Sequence, residues 1–203
     1  MLRNIAQALS LVFHPFWMPM AGTFILLRHS QFLSMMPVEG QKAVYIIVAS
    51  STIGLPLLMF PLFWFRNKIR TLEMTERQER FIPLFVMAVF YFFSYNTLHN
   101  LGAPSLLSGF ILGAFISVTL AAVVNVWWKV SLHGIGMGGI LAVLTTILLL
   151  KQGSPESLFL QTMVYSGIVL SARLYLNQHN LWQIISGFTG GFLSILITLL
   201  FYY

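Results

Sequence analysis

The sequence contains no aspartate, and its five acidic residues are all glutamates. This absence excludes aspartate-rich cation sites, catalysis by paired aspartates and a Ser-His-Asp triad. Cysteine is absent too, which excludes disulfide bonds, thiolate metal sites and a cysteine nucleophile. The side chains left for chemistry are those of histidine, arginine, lysine and glutamate.

Charge of either sign is scarce, since 8% of the 203 residues are charged and 58% are apolar. A soluble domain has roughly a quarter of its residues charged. Because a charge is costly at the centre of a bilayer, the charge-free intervals mark candidate membrane spans of about 20 residues. They predict seven spans, at approximately residues 7–28, 43–65, 82–98, 104–128, 131–150, 157–174 and 180–203.

The sixth span is the shortest, because only 16 residues separate Glu156 from Arg173. Such a helix crosses only about 24 Å unless Arg173 snorkels or the helix starts earlier. Six spans are therefore possible. The predicted fold is an all-α, polytopic integral membrane bundle forming a single domain over residues 1–203, because no linker or shift in composition divides the chain. We expect the N-terminal apolar run to be a retained helix, since prolines interrupt it and no cleavage site for a signal peptide is evident.

Seven antiparallel crossings divide the connecting segments between two sides of the membrane. The near side, as we call it, holds the N-terminus and the junctions at 66–81, 127–133 and 173–180. Eight of the eleven Lys and Arg residues lie on the near side. By the positive-inside rule the near side is cytoplasmic, in the cytoplasmic membrane if the source is bacterial. If four of the near-side cations serve a site instead, the remaining Lys and Arg residues number four on the near side and three on the far side.

Three near-side segments, residues 73–83, 129–134 and 171–183, hold a concentration of ionisable side chains. They contribute Arg77, Arg80, Lys129, His133, Arg173 and His179. Arginine forks and lysines suit a phosphoryl group and stabilise charge on its oxygens during transfer. Two histidines can supply a nucleophile and a proton donor without a metal. The cluster therefore indicates a phosphate site.

Each segment taken alone also has a structural interpretation. Glu73 with Arg77, and Glu76 with Arg80, are spaced as i,i+4 pairs of a solvated helix end. Lys129 follows two tryptophans, a combination typical of an interfacial anchor. The net charge of +6 does not indicate nucleic acid, because it sits on short junctions between spans rather than in a basic tail or patch.

The three segments resemble the motifs of the type 2 phosphatidic-acid phosphatase and haloperoxidase superfamily, in its integral-membrane lipid phosphatase branch. The third family motif, Ser-Arg, five residues, His, three residues, Asp, matches from Ala172 to Gln183, with Arg173 and His179 at the family spacing. The second motif, Pro-Ser-Gly-His, is similar to residues 130–133, which keep Ser131 and His133. The first family motif is matched only approximately, at Arg80. The resemblance as a whole covers about residues 73–191.

The resemblance implies a metal-independent lipid phosphatase that uses no cofactor. His179 would attack phosphorus and form a phosphohistidine, while His133 would protonate the leaving oxygen and later activate water. Arg173, Arg80, Arg77, Lys129 and Ser131 would hold the phosphate of a membrane lipid, either a phosphomonoester such as phosphatidic acid or a prenyl pyrophosphate.

The chain departs from the family at position 183, where Gln replaces the Asp that orients the nucleophilic histidine. At i,i+4 the amide oxygen of Gln183 can still reach the ring of His179. An amide carries no negative charge, so a weak or inactive enzyme is a real alternative. Glu76 or Glu79 could supply the carboxylate instead. The main competing function is a non-catalytic relative that binds or transports an anionic lipid.

Other features have structural interpretations. The run from Gly134 to Gly139 spells G-x-G-x-x-G, but no strand precedes it, so dinucleotide binding is disfavoured. Together with the pairs Gly109/Gly113 and Gly187/Gly191, it predicts close helix packing, within one chain or between copies in a homo-oligomer. His14, before Pro15, predicts a kink in the first span and could line the pocket.

Overall fold

The structure, a computed structural model, describes residues 1–65 and 77–203, apart from the side chains of residues 60 and 62–65. Within these ranges the chain is all-α and contains no strand. The helices are α1 (Leu2–Val12), α2 (Met18–His29), α3 (Gln31–Ser34), α4 (Val38–Ala49), α5 (Leu55–Phe65), α6 (Phe81–Asn100), α7 (Ser105–Val124), α8 (Leu132–Leu149), α9 (Glu156–Tyr175) and α10 (Leu181–Tyr202).

Seven helical segments of the described chain are long and apolar enough to cross a membrane, which confirms the predicted polytopic bundle. The first runs from Leu2 to His29 and the second from Val38 to Met59, and the other five are α6 to α10. Many large apolar side chains on their outer faces are exposed, as expected of helices surrounded by lipid. The predicted turn between α6 and α7 is also present, where Gly102 adopts a positive φ of 68° that favours glycine.

The first span is interrupted between α1 and α2. A residue before proline is disfavoured in the helical conformation, and His14 is extended, with φ −65° and ψ 140°. Pro15–Trp17 then form a 3₁₀ turn that leads into α2. The predicted kink is therefore a complete break, and it places backbone groups of α1 beside the ends of other helices.

The sixth span lies where the sequence predicts it, at 157–174, and extends one residue further at each end. α9 has 20 residues and includes both Glu156 and Arg173, so it crosses about 30 Å. Arg173 is only 5% exposed, so its side chain lies inside the protein.

α8 and α10 form the most extensive helix pair of the described bundle, and glycines allow their close approach. A Cβ atom on Gly134 would lie 3.0 Å from the carbonyl oxygen of Ile184, and one on Gly187 would lie 2.5 Å from that of Ser131. Gly138 and Gly191 face backbone atoms of the opposite helix in the same way. The predicted small-residue packing is present within the chain. Pairing of two copies through glycine-rich faces stays a prediction.

The connecting segments meet at the two ends of the bundle as the crossing pattern predicts. On the far side, the backbone N–H of Gln31 donates to Gln152, and the Tyr202 hydroxyl lies 3.1 Å from Nδ1 of His99. On the near side, the backbone N–H of Ser131 donates to Gln183 over 3.1 Å. The near-side contact joins the N-termini of α8 and α10, where the two predicted catalytic histidines lie.

Candidate functional site

Buried cations from separate helices converge at the near side of the bundle. Arg80, just before α6, is 4% exposed, and its Nη1 donates to the carbonyl oxygen of Val130 over 3.3 Å. Arg173 enters from the last turn of α9. Both charges, with that of Lys129, act electrostatically on His179. The structure therefore brings together three of the cations predicted to hold a phosphate.

His179 lies in the short connection between α9 and α10. Asn177, two residues after the end of α9, adopts the left-handed conformation, with φ 53°, which asparagine tolerates well. The chain then reverses into Asn180, the N-cap of α10. This tight connection points the His179 ring into the bundle, where the residue is 7% exposed.

Gln183 is hydrogen-bonded to His179, as the i,i+4 spacing predicts. His179 Nδ1 lies 3.1 Å from Gln183 Oε1, and the backbone N–H of Asn180 donates to the same oxygen over 3.2 Å. An amide oxygen only accepts hydrogen bonds, so Nδ1 of the neutral ring carries the proton. The lone pair is then on Nε2, the atom available as a nucleophile.

The surroundings of His179 oppose its protonation. Burial is the main factor that lowers the pKa of His179 from 6.5 to about 3, and the charge of Arg80 is the next. Lys129 and Arg173 lower the pKa further, while the hydrogen bond to Gln183 opposes the shift. The imidazole is therefore neutral at physiological pH.

His133 is oriented by a backbone carbonyl group. Its Nε2 lies 2.9 Å from the carbonyl oxygen of Ser10, near the end of α1. Because a carbonyl only accepts, Nε2 donates, and the neutral ring has its lone pair on Nδ1. His133 is 7% exposed and is the second residue of α8, so it lies at the positive end of the helix dipole.

A third histidine, His14, lies against this pair. The ring centroids of His14 and His133 are 5.8 Å apart, with the rings at 82° to one another. The backbone N–H of Phe16 donates to Nδ1 of His14 over 3.3 Å, which leaves the proton of the neutral ring on Nε2. The charge of Arg173 acts on His14 as well as on His133. His14 therefore belongs to the same cluster.

Three further predicted residues have specific places. Ser131 is completely buried, and its hydroxyl oxygen caps α8 by accepting from the Gly134 N–H over 3.2 Å. The carbonyl oxygen of Arg77 accepts from Nδ2 of Asn125 over 2.9 Å, which ties the start of the third span to the end of α7. Binding of phosphate by Ser131, Arg77 or Lys129 stays a prediction.

The carboxylate alternative concerns Glu76 and Glu79. Glu76 lies outside the described residues, as does Glu73, so neither predicted i,i+4 ion pair with Arg77 and Arg80 is described. Glu79 is described, but Gln183 takes the hydrogen bond from Nδ1 of His179. Glu79 therefore does not hold the position that the family gives to its aspartate.

The contributions of Ser10, Asn125 and Asn180 are absent from the sequence prediction. Asn180 and Gln183 form a capping box, in which each side chain accepts from the backbone of the other. The spacing Asn-x-x-Gln before an apolar run is the signal that indicates it. No comparable pattern marks the Ser10 carbonyl, because every residue has one.

The site as described combines three cations, three histidines and the N-termini of α8 and α10, an arrangement suited to an anion. Among residues 1–65 and 77–203, no three His or Glu side chains are placed to hold a metal ion. Comparison of the chain with protein-family models, curated proteins and solved structures finds no match.

Proposed function

We propose that this multi-pass membrane protein is a phosphohydrolase that cleaves a phosphomonoester or pyrophosphate of a membrane lipid. The observation that carries the proposal is the state of His179. Its Nδ1–H is held by Gln183, its ring is neutral, and three cations act on it. A neutral imidazole held in one tautomer beside phosphate-binding cations is suited to attack on phosphorus.

In the first step, Nε2 of His179 forms a bond to phosphorus as the bond from phosphorus to the leaving oxygen breaks. The leaving oxygen takes a proton from Nδ1 of His133, a ring that is neutral in the free protein and takes up a proton when the negatively charged phosphate binds beside it. The Ser10 carbonyl, 2.9 Å from Nε2, stabilises that imidazolium by accepting its other N–H. The products are a phosphohistidine and the lipid alcohol, or the lipid monophosphate when the substrate is a pyrophosphate.

In the second step, the lone pair on Nδ1 of His133 takes a proton from water as the water oxygen attacks phosphorus. The phosphorus–nitrogen bond breaks, and its electron pair returns to Nε2 of His179. Inorganic phosphate leaves, and both histidines are ready for another cycle. Arg80, Arg173 and Lys129 stabilise the charge on the phosphoryl oxygens throughout.

The test measures phosphate release by purified protein from prenyl pyrophosphate and from phosphatidic acid. We expect release by the wild type, loss of at least about 10³-fold in His179→Ala and a large loss in His133→Ala, because each removes a group used in the reaction. Chelators should have no effect. Unchanged activity in both variants would contradict the mechanism.

The alternative, a phosphatase-like protein that binds or transports an anionic lipid, is favoured by one observation. The partner of His179 is the amide of Gln183 rather than a carboxylate. This alternative would be supported over the phosphatase by one result. Phosphatidic acid would bind in a manner that depends on Arg80 and Arg173, while no phosphate is released and no phosphohistidine forms.

The side of the membrane that the site faces can be measured directly. The chain has no cysteine, so Trp127→Cys, at an exposed position of the near-side junction between α7 and α8, would introduce a single accessible thiol. We expect an impermeant thiol reagent to label it from the cytoplasmic side, as the charge bias predicts. Labelling from the opposite side would reverse the proposed orientation.

A further inference from the structure

An apolar cavity lies inside the bundle directly beside the histidine cluster. It lies between α2, α6, α7, α8 and α10, and its empty volume of about 550 Å³ includes space that is open to the surroundings of the bundle. Pro15 and Leu132 line it, and they are the chain neighbours of His14 and His133. The cavity therefore begins where the candidate site ends.

The cavity extends from the near side deep into the membrane-spanning region. Leu84, in the first turn of α6, lies at its near-side end. Phe110 and Ile195 line it as well. Each lies 14 residues from the near-side end of its helix, Val124 for α7 and Leu181 for α10, which corresponds to a depth of about 21 Å.

The walls of the cavity suit an apolar chain. They are formed mainly by Leu, Met, Ile, Pro and Phe side chains, and among the described lining residues Tyr91 and Ser117 carry the polar side-chain atoms. Ligand pockets are typically lined in this way, by apolar side chains with a few polar groups among them. An ion or a sugar phosphate would lose its hydration against these walls, whereas the tail of a membrane lipid would exchange one apolar environment for another.

We propose that this space, which we call the tail cavity, holds the hydrocarbon tail of a phosphorylated lipid whose phosphate lies among Arg80, Lys129 and Arg173. The inference rests on the proposed phosphate site and adds where the rest of the substrate lies. Together, the phosphate site and the tail cavity match the two ends of a single amphiphilic molecule. A cationic, histidine-lined end adjoins an apolar end, and the bound lipid spans both.

Crosslinking tests the location without requiring turnover. Two probes are used, a phosphatidic acid with a diazirine midway along one acyl chain and a prenyl monophosphate with a photoreactive group at its tail end. After irradiation, mass spectrometry should place adducts on Met87, Phe110 or Ile140. Adducts confined to the exposed, lipid-facing Leu120 and Leu193 would overturn the proposal. The probe that labels the cavity shows whether it takes acyl or prenyl chains.

A filled cavity tests the consequence for the reaction. Ala114 lines the cavity on α7, whereas Val123 on the same helix is 48% exposed to lipid. We expect Ala114→Leu to lower cavity adducts and kcat/KM for the long-chain lipid by about tenfold, because the added side chain displaces buried methylenes. Val123→Leu, the matched control, should change neither.

A short, water-soluble phosphate ester, para-nitrophenyl phosphate, separates the two proposals. It needs no tail cavity, so Ala114→Leu should lower its cleavage far less than it lowers cleavage of the long-chain lipid. Cavity adducts without phosphate release from any substrate would uphold the tail cavity and contradict the phosphatase. Lipid turnover that Ala114→Leu leaves unchanged, with no cavity adducts, would overturn the tail cavity and leave the phosphatase standing.

Discussion

Oε1 of Gln183 accepts two hydrogen bonds at once, from Nδ1 of His179 at 3.1 Å and from the backbone N–H of Asn180 at 3.2 Å. The second bond belongs to the capping box of α10 and holds the amide in a single orientation. The first bond uses that orientation to select the tautomer of the histidine. One side chain therefore both contributes to the capping box of α10 and leaves the lone pair of the neutral His179 ring on Nε2, without adding negative charge.

Gln183→Glu should increase turnover. Glutamate has nearly the same shape and is favoured at this capping position, so the helix start is preserved. The negative charge of its carboxylate would offset the nearby cations. It would also stabilise the positive charge that the imidazole gains as it bonds to phosphorus. In serine proteases the reverse exchange, amide for carboxylate, costs about 10⁴ in turnover. We expect single-turnover phosphate release to quicken by about tenfold or more.

Gln183→Leu is the matched opposite change, because it removes the oxygen that accepts from His179 and from the Asn180 N–H, while the N-cap bond to Asn180 remains. We expect a lower rate and a small loss of stability, about 1 kcal/mol from the lost hydrogen bonds. Equal rates for wild type, Gln183→Glu and Gln183→Leu would show that position 183 does not orient the nucleophile.

The depressed pKa of His179 should make stability depend on pH. The pKa is about 3 in the folded state, against 6.5 for an unperturbed histidine. Below pH 6.5 the unfolded chain therefore binds the extra proton, and stability falls as the pH is lowered from 6.5 towards 3. Between pH 7 and pH 4.5, the titration of His179 should lower the free energy of unfolding by roughly 2–3 kcal/mol.

His179→Asn removes that titrating group and leaves the other histidines in place. In detergent, Tm measured at pH 7 and pH 4.5 should fall less for the variant than for the wild type. The same fall in both proteins would show that His179 is not buried in the neutral form.

Substitutions of His14 separate two roles of its ring. Nδ1 accepts from the Phe16 N–H and so caps the turn after the break in the first span. The ring also packs edge-on against His133, whose Nε2 is held by Ser10. Asparagine can cap the turn but has no ring, and alanine can do neither.

If the imidazole itself serves the site, His14→Asn and His14→Ala should both lower kcat/KM by about tenfold or more, while only His14→Ala lowers Tm. If the cap is its whole contribution, His14→Asn should behave as the wild type in both measurements. A kcat/KM and Tm comparison of the two variants decides between these roles.

The spans could be predicted because charge alone determines where a helix can cross a bilayer. The intervals between charged residues therefore located all seven spans, with bounds within six residues of the helices observed. The sixth span, predicted at 157–174, contains Arg173 and agrees with the helix Glu156–Tyr175 to one residue at each end. A charge buried against other parts of the protein need not end a span, and only the packing of α9 shows that Arg173 is such a charge.

The site was predictable to the extent that it depends on side chains. The spacing of His179 and Gln183 on one helix face implied their hydrogen bond, and the crossing pattern implied that Arg80 and Arg173 lie on the same side. The Ser10 carbonyl could not be predicted, because its position depends on how the chain breaks at Pro15. A sequence pattern reports residue types, whereas a backbone acceptor is defined only by the fold.

The contact between Gly187 and Ser131 predicts that helix packing sets the distance between His133 and His179, the two histidines proposed to be catalytic. Gly187 lies on α10 after His179, and Ser131 caps α8 just before His133. A Cβ atom on Gly187 would lie 2.5 Å from the Ser131 carbonyl oxygen, a clash with backbone that no side-chain rotation can relieve. Gly187→Ala should therefore push the start of α8 away from α10.

The matched control is Gly190→Ala on the same helix, where a Cβ atom meets nothing within 4 Å. Alanine in an open helical position stabilises by about 1 kcal/mol relative to glycine, so this variant should keep or raise Tm and keep activity. Gly187→Ala should lower Tm and reduce kcat more than it raises KM, since displacement of His133 from His179 affects the chemical step. Equal kcat for the two variants would mean that the start of α8 does not position the proton donor.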